Sequence, residues 1–99
     1  MRIIAIKTIK DFWDDLDYGD SEQPLKAWYH EVRKEEWKTP NDIKKKYKST
    51  SILKNKRVVF NIAGNKYRLV VAVKYNLQII YVRFIGTHEE YNKINVEKI

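Results

Sequence analysis

Four side chains in the last third of the chain have the types and spacing for chemistry. Arg68 and Arg83 each interrupt a run of β-branched and aromatic residues, YRLVVAV and YVRFI, and His88 and Tyr91 follow three apart in GTHEEY. A guanidinium presents a planar fork of N–H donors that matches phosphate oxygens two at a time. An imidazole with a reference pKa of ~6.5 gives or takes a proton near neutrality. These groups meet the needs of RNA phosphodiester cleavage. A 2′-hydroxyl attacks phosphorus once a base has its proton, cations neutralise the charge gathering on the equatorial oxygens, and an acid protonates the departing 5′-oxygen. Tyr91, Lys54, Lys56 and Arg57 can share that work. Each also has an ordinary role: His88 as a surface residue at a helix start, Tyr91 as packing, the arginines as solvated side chains. Their convergence is what favours the catalytic reading.

Other chemistries lack their residues. Cysteine is absent, and the two histidines, His30 and His88, are too far apart in sequence for zinc-ligand spacing. Asp14, Asp15, Asp17 and Asp20 lack the spacing of a calcium loop, and there is no nucleotide-binding motif. No apolar run reaches the ~18 residues of a membrane span, and the N-terminus turns acidic too early for a signal peptide, so a cytoplasmic protein is expected. Ninety-nine residues fit one domain, 1–99, with one core in two layers.

The elements that position these residues follow from hydrophobic period. Ile3, Ile4 and Ile6 mark a first strand. Ile9, Phe12, Trp13 and Leu16, then Leu25, Trp28, Tyr29 and Val32, form two helical stripes. Ser21 is placed to cap the second helix and Pro24 to sit in its first turn; Thr39-Pro40 opens a short third helix. Trp13 and Trp28 belong to the stripes and so to the core. Arg57–Ile62, Tyr67–Tyr75 and Gln78–Ile85 read as strands, joined by turns at Gly64-Asn65 and Asn76-Leu77. Thr87 with Glu90 makes a capping box that starts a helix at His88.

Two-residue turns fix the registers. The first sets Asn61 opposite Arg68; the second sets Val70 opposite Arg83 and Arg68 opposite Ile85. Side chains alternate across a sheet. One face then gathers Val58, Phe60, Ile62, Tyr67, Leu69, Val71, Val73, Ile80, Val82 and Phe84, an apolar surface for the helices. The other gathers Arg57, Val59, Asn61, Arg68, Val70, Ala72, Lys74, Ile79, Tyr81, Arg83 and Ile85. On it Arg68 and Arg83 are diagonal neighbours about 7–8 Å apart, and the strands contain no acid to relieve them. A phosphate does so; so does open solvent.

Charge agrees with a polyanion partner. Residues 1–38 carry seven Lys/Arg against nine Asp/Glu, and residues 39–99 carry thirteen against four, within a net charge of +7. A basic half suits nucleic acid or an anionic surface, although a solvated basic surface is an equal reading of charge alone. The Lys44–Lys48 run is of that ambiguous kind.

FNIAGNKYRLVVAV (60–73) and YVRFIGTHEEYNKI (81–94) resemble the HigB toxin family, part of the RelE-like superfamily of type II toxin–antitoxin systems. The likeness is most specific in GNKYRLV and GTHEEY and extends loosely over the chain. It implies an α+β fold with an N-terminal strand, helices on one face of a small antiparallel sheet, a basic face opposite and a short C-terminal helix. It implies metal-independent endoribonuclease action on mRNA, typically on the translating ribosome, without a cofactor. Arg68 and Arg83 match arginines that hold the scissile phosphate, and His88 and Tyr91 match active-site positions, with His88 the better proton carrier. Lys54, Lys56 and Arg57 lie where the superfamily carries basic residues, and Asn61 and Lys74 share the expected RNA face. The implied partner is a HigA-type helix-turn-helix antitoxin. Two other readings use the same face: a non-catalytic RNA- or ribosome-binding module, and a module that docks an acidic protein.

Overall fold

The computed structural model describes residues 1–99. Strand β1 (Arg2–Ile4) leads into helix α1 (Ile6–Asp14), a 3-10 turn (Leu16–Ser21), α2 (Glu22–Arg33) and α3 (Pro40–Lys46). There follow β2 (Ser51–Ile52), β3 (Arg57–Ile62), β4 (Tyr67–Lys74), a 3-10 turn (Tyr75–Leu77), β5 (Ile79–Thr87) and α4 (His88–Asn92). The five strands form one sheet in the order β1-β5-β4-β3-β2. All neighbours are antiparallel except β1, which runs parallel to β5 with Ile3 beside Ile80. This is the expected α+β architecture with a short C-terminal helix.

The core forms where the helical stripes meet one sheet face. Ile9 of α1, Leu25, Trp28 and Val32 of α2, Trp37 and Ile43 pack on Val58, Phe60, Ile62, Tyr67, Leu69, Val71, Val73, Ile80 and Val82. Phe60 is at the centre, with Trp28 edge-on at 5.4 Å and Trp37 stacked at 6.3 Å between ring centroids. Each such buried side chain contributes about 1.5–3 kcal/mol. Thr39 caps α3 with a full capping box and Pro40 occupies its first turn, where a missing N–H costs nothing.

Several expectations change. Helix α1 stops at Asp14 because Asp15 turns extended, with φ −69° and ψ 130°. Leu16 therefore leaves the stripe and is 99% exposed. Ser21 stands at the start of α2 but its Oγ donates back to the Tyr18 carbonyl at 2.6 Å instead of capping. The turn after β4 takes four residues, Tyr75 to Gln78, with Gln78 left-handed at φ 56°, yet it keeps the register Lys74–Ile79.

The change that matters most is a β-bulge. The Gly64-Asn65 hairpin has the expected register, Asn61 opposite Arg68. Between β4 and β5 the expected register holds from Lys74–Ile79 to Val71–Val82 and then slips by one, so that Val70 faces Phe84, Leu69 faces Ile85 and Arg68 faces Gly86. The pairs Val70–Arg83 and Arg68–Ile85 do not form. Arg83 is the extra residue, and Phe84 and Ile85 exchange faces: Ile85 packs on the core, while Phe84 is absent from it. A bulge inserts one residue opposite a partner and re-aims the side chains around it.

Candidate functional site

On the sheet face away from the core, neighbouring rungs carry Tyr81, Ala72 and Arg57; then Arg83 and Phe84 with Val70 and Val59; then Gly86, Arg68 and Asn61. Arg83 is exposed, and its guanidinium lies over the Tyr81 ring, 5.2 Å from the centroid. The bulge thus keeps Arg83 on this face although the register has shifted. Arg68 is half-buried and spends one nitrogen, Nη1, on the Asn65 carbonyl at 2.9 Å, which holds the side chain along the hairpin tip. Asn61 opposite it donates to the Ser49 carbonyl at 3.1 Å. Lys74 is exposed at the far end of β4, opposite Ile79, and the β1 pairing brings Arg2 beside Ile79 on the same face.

No carboxylate neutralises these arginines. The chain has four ion pairs, Lys7–Asp11, Lys26–Glu22, Lys46–Glu35 and Lys66–Asp20, and none uses Arg57, Arg68, Arg83, Lys54, Lys56 or Lys74. No three His, Asp or Glu side chains converge as metal ligands.

Part of this face is covered by the chain itself. Val59, Val70 and Ala72 are buried, and α4 packs along β4 and β5. The residues after α4 reach the other side of the face: Arg57 Nε donates to the Ile99 carbonyl at 2.8 Å, and Asn55 Nδ2 to that of Glu97 at 3.3 Å. Arg57 is therefore engaged within the chain. Lys54 and Lys56 are exposed beside it. Asn55 and Lys56 are both left-handed, at φ 58° and 59°, which is the primed hairpin turn that matches strand twist.

His88 opens α4, whose capping box is complete: Thr87 Oγ1 accepts from Glu90 N–H at 3.2 Å, and Glu90 accepts from Thr87 N–H at 2.9 Å. The imidazole Nδ1 is 3.1 Å from Asn92 Nδ2, one turn on. His88 lines a groove of about 360 Å³ with Asp17, Tyr18, Lys66, Tyr67, Thr87 and Glu89. The groove lies at the end of the sheet where Tyr67 pairs with Thr87, one rung beyond Arg68. Its wall is built by Phe12 stacked on Tyr18 at 4.5 Å, both edge-on to Tyr67. Asp20 accepts from Lys66 Nζ and, at 2.5 Å, from the Tyr67 hydroxyl. The Lys66 bond, then that of Tyr67, holds the Asp20 carboxyl below its ordinary range, while burial and Asp20 push the Tyr67 phenol up. Tyr91 is half-buried on α4. The arrangement is thus two adjoining parts: an arginine face centred on Arg83 and Arg68, and a groove holding His88 and Lys66 around the sheet end.

Sequence reasoning passed over Tyr81 as the shelf of Arg83, Arg2, Lys66, and the engagement of Arg57 by residues 97–99. Tyr81 had a signal, two residues before Arg83 on a strand. The others depend on long-range pairing that no local pattern encodes.

Residues 21–94 match the family described as HigB toxin, a RelE-like toxic component of a toxin–antitoxin system. The mRNA interferase toxin HigB of Escherichia coli is 32% identical over 94 residues, which span 93% of this chain and 88% of that protein. The mRNA interferase HigB of Shigella flexneri matches to the same extent. The likeness covers strands, bulge and capping box alike, and on that basis the chain belongs to the HigB family of RelE-like toxins.

Proposed function

We propose that this chain is an mRNA interferase, the activity for which its Escherichia coli and Shigella flexneri relatives are named, and that it cuts as a metal-independent endoribonuclease on the translating ribosome. The observation that carries the reading is the arginine face, where Arg68 and Arg83 have no carboxylate partner and Arg83 is raised by the bulge onto an aromatic shelf. A phosphodiester is the ligand that relieves such a pair, through charge-assisted bonds to its oxygens.

In this mechanism Arg68 and Arg83 hold the scissile phosphate. The ribose 2′-oxygen attacks phosphorus and loses its proton, the P–O5′ bond breaks, and the 5′-oxygen gains a proton. The products are a 2′,3′-cyclic phosphate and a free 5′-hydroxyl. His88, with Tyr91 on the same helix, serves the proton transfers. The arginines stabilise the extra negative charge that exists only in the transition state, the term that contributes most to such catalysis. Lys54, Lys56, Asn61 and Lys74 guide the RNA backbone, and Arg57 joins when RNA takes the place of the Ile99 oxygen. A HigA-type helix-turn-helix antitoxin silences the toxin in the bacterial cytoplasm.

The test is expression without antitoxin. Wild type arrests growth and cuts mRNA, whereas Arg83→Ala and His88→Ala do neither while remaining folded. Variants as toxic as wild type would refute the site.

A further inference from the structure

A second recognition surface lies on the helical layer, across the sheet from the arginine face. Between α1 and α2 runs a groove of about 220 Å³ lined by Ile6, Lys10, Trp13, Lys26, Tyr29 and His30. Ile6, Trp13 and Tyr29 are only half-buried at the margin of the core, so the floor is apolar and open. The Lys26 ammonium lies over the Trp13 ring at 5.5 Å, and the Arg33 guanidinium over Tyr29 at 5.2 Å. His30 stands edge-on to Tyr29 at 5.7 Å. An aromatic floor with a cationic rim is a recognition surface for carboxylates.

Charge decides between nucleic acid and protein. Residues 6–33 carry four Lys/Arg against seven Asp/Glu, yet three of those four cations, Lys10, Lys26 and Arg33, gather at this groove. A nucleic-acid strand carries a charge at every phosphate, so beyond the groove it meets Asp11, Asp14 and Glu31. Nor are ring faces open to its bases, because Lys26 and Arg33 already cover them. A short segment with one or two carboxylates and an apolar side meets the cations and little else. It can bind each cation from outside without lifting it from its ring, and its apolar residues can settle on Ile6 and Trp13.

We infer that the α1–α2 groove is a docking site for an acidic, amphipathic segment of the antitoxin that neutralises this toxin. A segment seated there leaves the arginine face open. Neutralisation then works by the bulk the antitoxin adds to the toxin, not by plugging the cleavage site.

The experiment is the double variant Lys10→Glu/Lys26→Glu, with His30→Glu as a second, exposed substitution on the same rim, each checked by thermal melting. Each is expressed with and without the cognate antitoxin, and antitoxin binding is titrated by calorimetry. The expected result is full toxicity alone, binding weakened at least tenfold, and growth arrest that the antitoxin no longer relieves. Rescue and binding equal to wild type in both variants overturn the proposal, since the antitoxin then docks elsewhere. Toxicity lost at an unchanged melting temperature also overturns it, because the groove then serves RNA or the ribosome.

Discussion

Replacing Gly86 by alanine should loosen the junction between the arginine face and the histidine groove. Gly86 is buried opposite Arg68, between Phe84 and the capping box. A Cβ there would lie 2.6 Å from Phe84 Cζ and 3.1 Å from Glu90 Oε1. Its φ is not positive, so the demand is for space, not for backbone freedom. Carbon contacts settle at about 3.5–4.0 Å. The Phe84 ring must therefore retreat by roughly 1 Å, and the Glu90 carboxylate, which holds the Thr87 N–H, by a few tenths. Overpacking of this kind costs about 1–3 kcal/mol, and a weakened cap adds part of about 1 kcal/mol. The half-buried ring can tilt, so about 2 kcal/mol is the expected loss. Urea denaturation of Gly86→Ala, Phe84→Leu and the double variant measures it. Phe84→Leu clears the space the methyl needs, so the double variant should be more stable than the sum of the singles by about 1 kcal/mol. A Gly86→Ala protein within about 0.5 kcal/mol of wild type, or strictly additive costs, would refute the packing described for this junction.

Two further outcomes follow from the site. Tyr81→Ala should lower the cleavage rate about 2- to 5-fold, the worth of an exposed cation–π contact, and Tyr81→Phe should keep it, because the ring and not the hydroxyl holds Arg83; equal rates for both variants would show that the shelf is idle. Asp20→Asn should remove an acid-sensitive contribution to stability. The Asp20 carboxyl is held down in the folded chain by Lys66 and Tyr67, so it favours folding above the unfolded pKa of about 3.9, and that advantage fades as pH falls through the lower folded value. Melting temperatures of wild type and Asp20→Asn should converge in acid below about pH 4. A gap that stays constant from pH 7 to pH 2 would contradict this.

Much of the architecture was legible because period and turn chemistry are local. The helical stripes, the Thr39 and Thr87 caps and the Gly64-Asn65 register could all be read from spacing, and with them nine of the ten residues assigned to the core face of the sheet. The bulge was not legible. Arg83-Phe84-Ile85 alternates as a regular strand would, and only pairing with β4 reveals the slip that turns Phe84 out and Ile85 in. The parallel pairing of β1 with β5 joins residues about 77 apart in sequence, beyond any local pattern, so Arg2 went unnoticed. The second face was expected to be wet. Its valines are instead buried, with α4 packed on β4 and β5 and the following residues reaching Arg57. The arginines stay on the face where alternation put them, because the insertion of one residue compensates at Arg83 itself.

The central claim is that Arg68 and Arg83 hold a phosphate for attack by the neighbouring 2′-oxygen. It is tested most directly by the chemistry of the cut ends. Purified toxin is added to a translating extract, and the 3′ ends of the cut mRNA are identified by mass spectrometry for wild type and Arg83→Ala. The account predicts 2′,3′-cyclic phosphate ends with wild type and loss of the cut with Arg83→Ala. Ends bearing a 3′-hydroxyl, or an undiminished cut without the Arg83 guanidinium, would contradict it.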